Sequence, residues 1–160
     1  MAKRIHHPIF GQIEYVNGWR KHVEVDLFGQ LWELEMIIDA EEDANFEKDQ
    51  EEAYLRFIPQ INKLARKAEE VIYHYYISES PNYRAQLTKT QADQLVPILS
   101  DKVELGKLIE PKQVFFPMTF DRGEREAGFL LECSWEIEHG LGVKFINEKV
   151  EEIGFQDILL

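Results

Sequence analysis

Over residues 9–38 apolar and polar side chains alternate, and two turn sequences cut the run into three. Ile9, Gly11, Ile13 and Tyr15 alternate with Gln12 and Glu14 as far as Asn17-Gly18, a pair that readily takes the positive φ of a tight hairpin. Val23, Val25 and Leu27 then oppose His22, Glu24 and Asp26. After Gly29-Gln30, the residues Trp32, Leu34, Met36 and Ile38 oppose Glu33, Glu35 and Ile37. A period of two sets one face of each strand against a core, and strands joined by such short turns are antiparallel neighbours. This predicts a three-stranded meander.

From about Gln50 to Ile77 the apolar spacing changes to that of a helix, through Tyr54, Phe57, Ile58, Ile61, Leu64, Ala65, Ala68, Val71, Ile72 and Tyr75. Lys63, Arg66, Lys67, Glu69 and Glu70 fall on the other side. Pro59 lacks a backbone donor and is expected to bend or split this helix. Asp49 with Glu52 resembles a capping box at its start. The acidic stretch 39–52 reads as a solvated loop leading into the helix, or as a docking patch for a basic partner. Tyr73-His74-Tyr75-Tyr76 reads as the sealed edge of a core, with an aromatic cage as the alternative.

Ser78-Glu79-Ser80-Pro81-Asn82 is expected to be a loop, followed by a short helix capped by Thr88 or Thr90 and limited by Pro97. Ser100-Asp101 can start a further turn of helix through Leu108, ended at Glu110-Pro111. Residues 113–120 read as a strand, which Pro117 demotes to an edge or a bulge. Past the charged tip 121–126, Phe129, Leu131, Cys133, Trp135 and Ile137 share one parity, and Gly128, Glu132, Ser134, Glu136 and Glu138 share the other. That pattern predicts a strand with a buried and a wet face. His139-Gly140-Leu141-Gly142 would turn the chain, Val143 and Phe145 would return it, and Asn147-Glu148-Lys149 would turn it again.

These readings combine into a single α+β domain over residues 1–160. An antiparallel sheet from an N-terminal and a C-terminal meander packs against one long helix, with one or two short helices. Val25, Leu34, Leu64, Ile72, Phe129, Leu131 and Trp135 are the expected core.

A formal net charge of −12 makes sequence-independent nucleic-acid binding unfavourable, because phosphates would be repelled, and suits a basic protein partner. Bulk solubility explains the same charge. The basic residues Lys3, Arg4, Arg20 and Lys21 gather near the N-terminus against Glu14 alone. Cys133 is the only cysteine, so no disulfide framework exists within the chain. With no signal peptide, no apolar run long enough for a bilayer and no lipidation motif, a cytoplasmic protein without membrane attachment is expected.

Chemistry is suggested at one place, the predicted hairpin tip carrying Glu136, Glu138 and His139, with Asp157 able to approach from the chain end. These groups fit a divalent ion and an activated water, which would make a metal-dependent hydrolase. The competing reading is a turn in which carboxylate and imidazole bond each other or backbone amides. No His-x-x-x-His pair, phosphate loop, dinucleotide fingerprint or nucleophile elbow occurs, and no base is predicted beside Cys133. No catalytic residue, metal or cofactor is therefore assigned.

Trp135-Glu136-x-Glu138-His139-Gly140-Leu141-Gly142-Val143-x-Phe145, followed by Val150-x-Glu152-Ile153-Gly154-x-Gln156-Asp157, resembles the ending of a bacterial domain family of unknown function. Glu136 stands where that ending would have Asp. The resemblance covers the last third of the chain well, and a helix closing on Tyr75-Tyr76 is similar to the family's middle. It implies a small cytosolic companion of a secreted toxin, an immunity-like role, and carries over no catalytic residue.

The leading expectation is thus a non-enzymatic acidic protein-binding domain that docks a basic protein, with Trp135, Glu136, Glu138, His139 and Asp157 as its candidate binding residues. The metal-dependent hydrolase at Glu136, Glu138 and His139 is the alternative. A homo-oligomer joined through an open sheet edge is a third reading, and the oligomeric state is left open.

Overall fold

The computed structural model describes residues 2–160. The alternating runs become strands and the helical run becomes a layer across one face of them. The strands are β1 (Arg4–His7), β2 (Gly11–Tyr15), β3 (Trp19–Leu27), β4 (Gln30–Ile38), β5 (Ile109–Phe116), β6 (Glu126–Cys133), β7 (Leu141–Ile146) and β8 (Lys149–Gly154). They form one sheet in sequential order, β1 to β8. The helices are α1 (Lys48–Phe57), α2 (Ile61–Ala85) and α3 (Lys89–Leu95), with a 3-10 turn at Lys102–Lys107.

The expected fold, an antiparallel sheet on one long helix, is corrected in its sheet. The two meanders meet in a parallel pair, with Glu35 opposite Gln113 and Ile38 opposite Phe116, so the sheet is mixed. The whole helical layer is the crossover between β4 and β5, which is what permits two consecutive strands to run the same way. A 3-10 turn over Ile58–Gln60, with Pro59 inside it, divides α1 from α2, as expected of a residue that cannot donate its backbone bond. Sheet and helix content still fit an α+β domain, though a strand-rich one.

Several local expectations also change. The loop expected at Ser78–Asn82 is helical, because α2 runs on through Pro81 to Ala85. Its last turns are fixed by tertiary bonds: Tyr83 Oη donates to Glu136, and Arg84 reaches the Val96 carbonyl and Asp93 at 2.8 Å each. These contacts offset a proline that costs roughly 3 kcal/mol within a helix. Strand β5 lies in the middle of the sheet, not at an edge; Pro117 falls just past its end, and Pro111 sits beside a register shift. The segment ended at Glu110-Pro111 is therefore already strand. The Asp49–Glu52 capping box does not form. Instead the Gln50 side-chain oxygen accepts the Glu47 N–H at 3.0 Å.

Glu47 and Asp49 turn instead to the loop after β5. Glu47 accepts the Asp121 N–H at 3.1 Å, and Asp49 accepts the Thr119 hydroxyl and the Gly123 N–H at 2.9 Å each. Part of the acidic stretch is thus an internal clamp. Buried carboxylates elsewhere are paired, as desolvation demands. Glu69 on α2 accepts the Phe28 N–H at 2.7 Å and meets Arg66 at 3.0 Å, tying the β3–β4 turn to the helix.

The expected core residues Val25, Leu34, Leu64, Ile72, Phe129, Leu131 and Trp135 are all buried between sheet and helices. The opposite sheet face is not wet throughout. The C-terminal segment crosses it, and Leu159 packs with Ile37, Phe115 and Leu130 in a second small core. Among the described residues no helix is long and apolar enough to cross a membrane.

Candidate functional site

Strand β6 ends at Cys133, four residues before the alternation in the sequence runs out. The next residue diverts the chain: Ser134 N–H donates to the Leu108 carbonyl at 2.9 Å, and its hydroxyl donates to the Leu95 carbonyl at 2.6 Å. This stitches the 134–139 turn to the end of α3. Trp135 turns inward and meets Tyr76 edge-on at 4.8 Å, while Tyr76 bonds the Pro97 carbonyl. Ile137 turns outward and is 80% exposed, contrary to its strand parity. Glu136 and Glu138 accordingly share no strand face.

Glu136 is the centre of a polar network. Its carboxylate accepts the Tyr83 hydroxyl at 3.1 Å and lies 3.3 Å from His139 Nδ1, while its backbone carbonyl accepts the Gly140 N–H at 3.1 Å. Burial first, then the bond to Glu136, push the Tyr83 phenol well above its ordinary range, so it stays a donor. His139 stacks on Phe155 with centroids 4.6 Å apart. Gly140 has φ +63°, and a Cβ there would collide with the Gln156 side chain. Gln156 is in turn bonded to the Leu131 carbonyl at 2.8 Å.

Of the five residues expected here, Glu136 and His139 come together, Trp135 lies in the core beneath them, and Glu138 and Asp157 are exposed. Among the described residues no three of His, Cys, Asp and Glu assemble into a group able to hold a metal ion. Beside the turn lies a groove of about 290 Å³, walled by Tyr83, Leu87, Leu95, Trp135 and Ile137 and rimmed by Glu136 and Glu138. Tyr83 and Leu87 fall between the expected loop 78–82 and the expected cap at Thr88 or Thr90, where the sequence reading assigns no element. The signal for them is Tyr76 to Tyr83, two helical turns apart, which continues the apolar stripe past Tyr75.

Cys133 is buried, and desolvation raises its thiol from an ordinary 9.0 to about 12. The Tyr76 phenol is likewise raised by burial to about 12. A folded-state pKa above the unfolded one favours the native state only while both states keep the proton. Stability is therefore expected to hold up to about pH 9 and fall progressively toward pH 12, the window set by Cys133. Denaturation curves across that range check this. A thiol reagent at neutral pH should label Cys133 only on unfolding.

A family model described as "Domain of unknown function (DUF6985)" matches residues 9–160. No curated protein and no solved structure matches the chain.

Proposed function

The chain belongs to this family of domains of unknown function, and we propose that it is a non-enzymatic acidic protein-binding domain that docks a basic protein. The observation that carries this reading is the groove at the 134–139 turn. It places the carboxylates of Glu136 and Glu138 beside an apolar wall, with an exposed Ile137 between them in the chain. The charge of −12 supports it by favouring a basic partner. At its most specific the reading is an immunity-like companion of a bacterial toxin, acting in the cytoplasm. The support for that is the Trp135-to-Gly142 ending and the small, acidic character of the chain.

Affinity capture from the source cells, followed by association kinetics with the captured partner, tests the proposal. Steering by a surface of this charge predicts an on-rate that falls by roughly 10–10³ from low to high salt. A partner whose association ignores salt, or no partner together with no protection against a candidate toxin, would sink it. The contact between Glu136 and His139 is the one feature that favours a metal-dependent hydrolase. Calorimetric titration with zinc, manganese and magnesium on the wild type and His139→Ala decides that alternative. One ion per chain, lost in the variant while the fold survives, would establish it.

A further inference from the structure

Resting on the protein-docking reading, we propose that the groove between the end of α2, α3 and the 134–139 turn receives an arginine or lysine side chain of the partner. The aliphatic stem lies along Leu87, Leu95 and Ile137, and the cation sits at Glu136 and Glu138.

The groove has two chemistries in one place. Its wall is apolar, and Ile137 is 80% exposed, with nothing among the described residues to cover it. Its rim is anionic, and no lysine or arginine among the described residues pairs with Glu136 or Glu138. The Glu136 carboxylate offers about four lone-pair directions; Tyr83 takes one on Oε1, and His139 Nδ1 lies 3.3 Å from Oε2. Its side chain is 17% exposed, so a bound cation would meet it partly shielded from water, where charge pairing is stronger than at the open surface.

Arginine and lysine match that combination because their methylene stems bury along apolar surface while the charged head stays at the rim. A purely apolar side chain would leave the carboxylates facing a neutral lid, and an acidic one would be repelled. Enclosed small-molecule sites occupy roughly 300–1,000 Å³. The groove, at about 290 Å³, lies at the small end of that range and has room for one arginine or lysine side chain.

The test uses the intact chain and three blocked pentapeptides: Gly-Leu-Arg-Leu-Gly, its citrulline twin, which keeps the shape without the charge, and Gly-Ser-Arg-Ser-Gly. Methyl and indole NMR shifts are followed at about 10 mM salt, where charge is least screened. The Arg-Leu peptide is expected to shift Ile137, Leu87, Leu95 and the Trp135 indole. The citrulline twin and the serine peptide should bind about tenfold more weakly, a difference easily resolved. Glu136→Gln and Ile137→Ser should each weaken the Arg-Leu peptide similarly. Ile137 is exposed, so its variant keeps the fold, and amide spectra verify this for both. Shifts confined to residues 39–52 would overturn the groove assignment while leaving acidic docking intact. Equal binding of the citrulline twin would overturn the cation. No shift at all would overturn the proposal, and the salt dependence of the captured partner would still judge docking separately.

Discussion

Phe57→Ala is expected to lower the unfolding free energy by about 3–5 kcal/mol, the cost of emptying a large aromatic site in a packed interior. Phe57 ends α1, one step before the Pro59 turn, and is 1% exposed. Its ring meets Phe116 of β5, Phe129 of β6 and Phe145 of β7 at centroid distances of 5.9, 5.7 and 5.3 Å, mostly edge-to-face. Phe129 and Phe145 also contact each other at 5.9 Å, so the cavity would be walled by rings already held in place. Rings held by neighbouring strands collapse poorly into a void, which puts the cost toward the upper end of the range. Urea denaturation with an unchanged m-value is the measurement. A loss below about 1 kcal/mol would mean that the helical layer does not sit on the C-terminal strands as described.

How much of this was readable beforehand follows from how local each signal is. Asn17-Gly18 takes φ values of +54° and +126°, and Asn147 and Glu148 take +51° and +61°, so the chemistry of each turn resides in its own residues and was legible. The cap, expected at Thr88 or Thr90, was legible to within that choice for the same reason; it falls at Thr88, whose hydroxyl accepts the Gln91 N–H at 3.2 Å. Strand β5 was not. Val114, Phe115 and Phe116 are all buried, because this central strand is covered on both faces, and a covered strand loses the alternation that marks a half-exposed one. Nor does any residue announce that β4 and β5 run parallel; that depends on where a long helical crossover re-enters the sheet. At the candidate site, Glu136 and His139 were found because they lie three residues apart. Tyr83 lies 53 residues from Glu136, and only the fold joins them.

Gly128→Ala is expected to cost roughly 1–3 kcal/mol, as overpacking of a tight interior does, despite adding a residue that strands tolerate better than glycine. Gly128 lies in β6 between Phe115 of β5 and Lys144 of β7. A Cβ there would run into the Val143 carbonyl oxygen and stand 2.5 Å from Leu159 Cδ1. The carbonyl belongs to a neighbouring central strand and cannot yield. Leu159 belongs to the C-terminal segment, held by the small apolar cluster and by bonds such as Gln156 N–H to the His139 carbonyl at 3.1 Å. That segment should give way first. Amide exchange is then expected to speed up at Gln156, Leu159 and Leu160 before it changes in β6. Because Phe155 stacks on His139, the loosening should also reach the Glu136 network and shift the His139 ring resonances. Adding Leu159→Ala removes one of the two clashes, so the double variant should lose less than the sum of the singles, a coupling that a mutant cycle measures. Strict additivity would place the strain wholly on the Val143 carbonyl and disconnect the C-terminal segment from the cost.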